Sequence, residues 1–92
     1  MSEPVTAKAV IKNPRGLHAR ASARFCAVAA SWDADITVTK DGQTVGGTSI
    51  MGLMMLGAGP GAELVISATG AQARDAVDTL LKLIADQFGE RE

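Results

Sequence analysis

The sequence predicts an α+β domain in two layers, an antiparallel sheet with helices stacked on one face. Three observations predict it. Apolar and polar residues alternate in short stretches, the period of half-buried strands. Asp41-Gly42 joins two of those stretches and is a hairpin signal, which commits them to antiparallel pairing. Elsewhere apolar residues recur at helical spacing, and the order becomes strand, helix, strand, strand, helix, strand, helix.

The first strand runs from Val5 to Lys12, with Val5, Ala7, Ala9 and Ile11 on one face and Thr6, Lys8 and Lys12 on the other. Val10 breaks the alternation, as in a strand interior to a sheet. Asn13-Pro14-Arg15-Gly16 is a turn that stops it. A helix follows from Ala19 to Ala30. Leu17, Ala21, Phe25, Val28 and Ala29 form its apolar stripe, with Arg20 and Arg24 beside it one turn apart. Ser31-Trp32-Asp33-Ala34 ends that helix, and Asp35 to Thr39 alternates as the second strand.

Beyond the hairpin, Gln43 to Gly47 returns as a short third strand. Thr48 or Ser49 caps a brief second helix reaching Leu56. That helix holds too many apolar residues for one face. Leu53 and Leu56 are assigned to the core, and Met51, with Ile50 or Met54, to the surface. Gly57 to Gly61 is glycine-rich but lacks the Lys-Ser/Thr of a nucleotide-binding loop, and is read as a turn. Ala62 to Ala68 is the fourth strand, with Leu64, Ile66 and Ala68 facing one way. Ala71 to Phe88 is the last helix, striped by Ala73, Ala76, Val77, Leu80, Leu83, Ile84 and Phe88, with Asp78 and Lys82 paired on its wet side. Residues 1–92 form one domain, with 1–4 and 89–92 as short tails.

A chain of 92 residues with 47% hydrophobic side chains supports one core. The only aromatic residues are Phe25, Trp32 and Phe88, so aliphatic side chains must fill most of that core. A net charge of -1 argues against strong overall affinity for nucleic acid. The charge is uneven: Lys8, Lys12, Arg15, Arg20 and Arg24 face Glu3 alone in the first 24 residues. A basic pole of this kind suits a phosphate or an acidic protein surface. Cys26 is the lone cysteine and reads as a small hydrophobe, with no disulfide and no cysteine-based metal site. No apolar run approaches the ~20 residues of a membrane span, and residues 1–8 lack the apolar core of a signal peptide. The chain is read as cytoplasmic, without membrane partners.

His18 is the only histidine. Gly16 allows a sharp bend just before it, and Arg20 lies within reach behind it. A lone histidine is ordinarily a capping or surface residue. Here it stands at the mouth of a helix, whose free N–H groups and partial positive charge favour an anion. Imidazole is a nucleophile near neutral pH, and no cluster of ligands accompanies it that would suggest a metal. The residues therefore point to a phosphoryl group held on His18, with Arg20 and helix N–H groups sharing its charge.

Gly16-Leu17-His18-Ala19-Arg20 resembles the active-site motif of HPr, the histidine-containing phosphocarrier family of the bacterial phosphoenolpyruvate-dependent phosphotransferase system. Ser49-Ile50-Met51-Gly52-Leu53-Met54-Met55-Leu56 resembles the segment around that family's regulatory serine, and the likeness spans nearly the whole chain. The resemblance implies an open-faced two-layer sandwich of four antiparallel strands under three helices. It implies phosphorylation of His18 on Nδ1 by phospho-enzyme I, donation to a histidine of an enzyme IIA-type protein, and Arg20 beside the phosphate. No cofactor or metal is implied, and a monomer is expected. It also implies phosphorylation of Ser49 by an HPr kinase/phosphorylase in bacteria that have one, beyond the cap role that its position alone supports. Sugar-branch members usually carry proline where this chain has Ala21. Met54-Met55 and Phe88-Gly89-Glu90 look more like the nitrogen-related branch, NPr.

The docking surface the resemblance implies is centred on Ile50, Met51 and Met54, completed by Leu17, Arg20 and Arg24. Flexible, polarizable methionines suit a surface that meets several partners. The rival reading is a regulatory protein-binding module switched at Ser49 without phosphoryl transfer. An enzyme using His18 as general base is weaker still, because no second catalytic group is evident.

Overall fold

The computed structural model describes residues 3–90. Four strands, β1 (Val5–Val10), β2 (Asp35–Lys40), β3 (Gln43–Gly46) and β4 (Glu63–Thr69), form one antiparallel sheet in the order β1-β4-β2-β3. Three helices, α1 (Ala19–Ala30), α2 (Ile50–Met55) and α3 (Ala73–Ala85), complete it, followed by a 3₁₀ turn over Gln87–Gly89. This is the predicted α+β sandwich with the predicted element order. β4 lies between β1 and β2, so those two strands run parallel to each other without touching.

The register explains the core. Ile66 is flanked by Ala7 on one side and Val38 on the other, Leu64 faces Ala9, and Ala68 sits between Val5 and Ile36. Large residues on one strand meet smaller ones on the next, leaving room for the helices to sink onto the sheet. Phe25, Leu53, Leu80, Ile84 and Phe88 descend into that space and are all buried.

The limits of α1 coincide with those expected, but other boundaries differ. β1 ends at Val10, and Val10 is 43% exposed on the sheet's open face. The irregularity does not mark an interior strand: β1 is an edge. β3 stops one residue early because Gly47 turns its N–H to the Ile36 carbonyl at 2.7 Å, where any Cβ would meet the Ile36 side chain. Asp78 and Lys82 form no ion pair. Among the described residues the ion pairs are His18–Glu90 and Lys40–Asp41.

The largest departure is at the end of α3. The helix stops at Ala85, not Phe88. Gln87, Phe88 and Gly89 follow with φ of 55°, 57° and 76°, one after another in the left-handed region. Phe88 still reaches the core, fully buried, but by this reversed turn and not by continuing the helix. Gly89 and Glu90 are therefore not a loose tail. Arg91 and Glu92 lie outside the described residues, as do Met1 and Ser2 of the expected leading tail.

Ser49, not Thr48, caps α2: its Oγ accepts the Gly52 N–H at 3.0 Å. That bond satisfies one of the free donors of a helix only six residues long. Ser49→Ala is expected to cost about 1 kcal/mol in urea-induced unfolding, the usual worth of such a cap.

Candidate functional site

The turn that ends β1 builds the site. Asn13 is fully buried, and its Nδ2 donates to the Gly16 carbonyl at 2.8 Å, while the Gly16 N–H returns to the Asn13 carbonyl at 3.1 Å. Gly16 takes φ of +66° and lies so close against the 57–59 loop that any Cβ there would overlap the Ala58 carbonyl oxygen. The next N–H, from Leu17, donates to that same oxygen at 2.9 Å. This bend delivers His18 to the N-cap position of α1 in extended conformation.

The His18 side chain makes no capping bond to the helix. The N–H groups of Ala19, Arg20 and Ala21, which have no partner inside an α-helix, remain available at its mouth. The ring is half-buried, and its Nε2 lies against Oε2 of Glu90 in a close contact. The other carboxylate oxygen of Glu90, Oε1, accepts from Asn13 Nδ2 at 3.1 Å. Both neighbours of that amide group are acceptors, which fixes its NH₂ toward them.

The Glu90 carboxyl is held below its ordinary value of 4.5. Burial pulls it upward, but hydrogen bonds from His18 and Asn13 and the positive charge of His18 and Arg15 outweigh that. Glu90 is thus an acceptor only, so Nε2 must be the donor. In its neutral form the imidazole therefore carries its one proton on Nε2, which leaves the Nδ1 lone pair with no protein partner among the described residues. The shift also has a sign. A folded-state value below 4.5 supplies stability that is present above that pH and lost as pH falls through the lowered value. Glu90→Gln should therefore destabilise the chain at neutral pH. Paired urea titrations should show the difference closing as pH falls below the ordinary carboxylate range.

Of the residues expected at the site, His18 and Arg20 share the first turn of α1, with Arg20 exposed and extending the cationic pole. Arg24 is exposed, but its guanidinium donates to the Phe88 carbonyl and ties down the C-terminal turn. Leu17 does not belong to any surface. It is 5% exposed and packs in the core, because the bend at Gly16 turns it inward beneath the 57–59 loop. Ser49 is exposed at the start of α2. Ile50, Met51 and Met54 are 42%, 69% and 39% exposed, and Met55, not expected there, is 69% exposed. Leu53 and Leu56 are buried as expected. α2 packs on α1, so this apolar surface belongs to the same layer as His18.

Sequence reasoning misses Asn13 and Glu90. Asn13 reads only as a turn former, and Glu90 as part of a polar tail 72 positions from His18. No spacing rule links residues so far apart. Cys26 is buried, and burial pushes its thiol up, as befits an inert small hydrophobe.

A family model described as PTS HPr component phosphorylation site matches residues 5–86. The phosphocarrier protein HPr of Cupriavidus necator is 43% identical over 82 residues, which cover 89% of this chain and 92% of that protein. The phosphocarrier protein NPr of Shewanella violacea is 34% identical over 80 residues, covering 87% and 88%. The crystal structure of HPr from Bacillus anthracis superposes with a TM-score of 0.86 at 35% identity, over 90% of this chain and 99% of that one. Similarity to a protein named NPr agrees with the branch likeness noted at Met54-Met55 and Phe88-Gly89-Glu90.

Proposed function

The chain belongs to the HPr family of phosphotransferase-system phosphocarriers, and from that premise we propose that His18 is the residue that carries the phosphoryl group. It is a carrier and not a catalyst: one group is accepted, held and passed on per cycle. The donor is phospho-enzyme I and the acceptor a histidine of an enzyme IIA-type protein. The observation that carries this reading is the ring itself. Nε2 is occupied by Glu90, so Nδ1 is the nitrogen with a free lone pair, placed at a helix mouth whose N–H groups can share the phosphoryl charge.

Arg20 supplies the mobile part of that charge. Exposed and unpaired among the described residues, it can swing its guanidinium onto phosphate oxygens without a conformational cost elsewhere. Arg20→Ala is expected to slow phosphoryl acceptance about tenfold, the worth of one charge-assisted hydrogen bond, while unfolding changes by under about 0.5 kcal/mol. Quench-flow transfer kinetics beside urea titration check both.

Partners dock on the exposed face of α2, where Ile50, Met51, Met54 and Met55 present apolar side chains on a helix that packs against α1. A phosphate placed on Ser49 by an HPr kinase/phosphorylase would add about −2 charge to that patch and weaken contact with partners drawn to basic residues. Every group in the site comes from one chain, so a single copy suffices for the chemistry. No helix among the described residues is long and apolar enough to cross a membrane, and cytoplasmic action fits the proposed partners.

The test is incubation with enzyme I, Mg²⁺ and phosphoenolpyruvate, read by intact mass and by phosphorus NMR. One acid-labile phosphate, bonded to Nδ1, is expected. A phosphate on Nε2, or none with an enzyme I known to be active, would refute the assignment. The latter result would favour the binding module switched at Ser49.

A further inference from the structure

We infer that Glu90 is a positioning residue for phosphoryl transfer, its carboxylate balancing the charge that the His18 ring acquires when the phosphoryl group arrives. The inference rests on the reading of His18 as the carrier residue. It starts from a geometric fact: a carboxylate from the far end of the chain is clamped between Asn13 Nδ2 and His18 Nε2, 12% exposed.

The charge follows from the bonds. In transfer from a phosphohistidine donor, the Nδ1 lone pair of neutral His18 forms a new N–P bond. The donor's N–P bond breaks, and its electron pair returns to the donor ring. The donor ring, cationic while phosphorylated and protonated, becomes neutral. The His18 ring keeps its Nε2 proton and becomes cationic. No proton moves and no other reactant is consumed, but one positive charge appears on the ring that Glu90 touches. Arg15, whose charge also acts on Glu90, and Arg20, on the helix turn, are the nearby cations opposing that change. A fixed carboxylate at Nε2 offsets both.

Its position is built, not incidental. The Nδ2 group of buried Asn13 donates both to the turn and to Glu90. Buried Phe88 anchors the reversed turn that presents Glu90, and Arg24 holds the Phe88 carbonyl. Gly89 holds φ of +76°, a conformation that favours glycine, and a Cβ there would press on the tip of the Arg24 guanidinium at 2.6 Å. The outcome is a carboxylate held against the ring.

The experiment has two arms, on the full chain, with Glu90→Gln and Glu90→Ala beside the unsubstituted protein. In the unphosphorylated state, nitrogen-resolved proton NMR should show a downfield, slowly exchanging Hε2 proton on His18, weakened in Glu90→Gln and lost in Glu90→Ala. Equilibrium partition of phosphate between phospho-enzyme I and the chain should shift toward enzyme I by about tenfold in Glu90→Gln, the isosteric neutral replacement. A role in folding alone would lower the melting temperature and leave that partition unmoved. Partition unchanged in both folded variants overturns the inference, as does absence of the Hε2 signal from the unsubstituted chain. If the Hε2 signal is present but the unsubstituted chain takes no phosphate, the carrier reading of His18 fails instead, and the charge-balancing role with it.

Discussion

His18→Ala incorporates no phosphate from phospho-enzyme I, while its stability changes by less than about 1 kcal/mol. The two halves of this expectation come from different features. The phosphoryl group needs a nitrogen lone pair at the mouth of α1, and the chain holds no second histidine. The fold, by contrast, asks little of the imidazole. Its side chain is 24% exposed, it makes no capping bond, and its ion-pair partner Glu90 keeps the Asn13 hydrogen bond when the ring is gone. Partly exposed pairs of this kind contribute roughly 0–1 kcal/mol. Intact mass after enzyme I treatment, with urea unfolding of the same sample, checks both. An acid-labile phosphate on the variant would end the assignment of His18.

Gly16→Ala is expected to damage the fold and the site together. The residue holds φ of +66°, where a side chain is strained by roughly 1–2 kcal/mol. Its new Cβ would overlap the Ala58 carbonyl oxygen and stand 2.9 Å from Gly59 Cα, both backbone atoms that no rotamer change can move. Relief requires the 57–59 loop to separate from the turn, breaking the Leu17-to-Ala58 hydrogen bond and uncovering Leu17. The combined cost should be about 3–4 kcal/mol, a fall of about 15–25 °C in melting temperature for a domain of this size. Gly57→Ala is the control. It shares a positive φ of +65° but has nothing within 4 Å of a Cβ, so strain alone acts and about 1 kcal/mol should be lost. Equal losses from the two substitutions would show that the close approach at Gly16 is relieved cheaply. In Gly16→Ala the surviving folded fraction should also accept phosphate slowly, because His18 follows the same bend.

The sandwich is legible in the sequence because its strands bury one face and α1 has a clean stripe. Periodicity reads such elements directly, and it places α1 to the residue. The failures share a cause: each involves a side chain whose partner is remote or whose backbone leaves the regular regions. Phe88 stands four residues after Ile84 and so imitates a helical position, although a left-handed turn delivers it to the same core. Leu17 sits on the stripe beside exposed neighbours, and only the inward bend at Gly16 decides that it is buried. Arg24 has a charge that sequence assigns to solvent, yet a carbonyl from the C-terminal turn captures it. Asn13 and Glu90 carry no signal of their link to His18, since the contact that unites the three exists only once both ends of the chain have converged. Motif and spacing thus expose the nucleophile, and leave its carboxylate neighbour unseen.

The turn at Gln87–Gly89 also separates two kinds of electrostatics by their response to ionic strength. Glu90 is placed by the burial of Phe88 and by a hydrogen bond from Asn13, neither of which depends on mobile ions. Arg20 is solvent-exposed, and its attraction to an approaching acidic partner acts across water. At physiological salt the screening length is about 8 Å, and it shrinks to about 3 Å at 1 M. Added salt therefore weakens the encounter with partners while leaving the carboxylate seated on the imidazole. Association rate should thus fall with added salt more steeply than the rate of transfer within a formed complex.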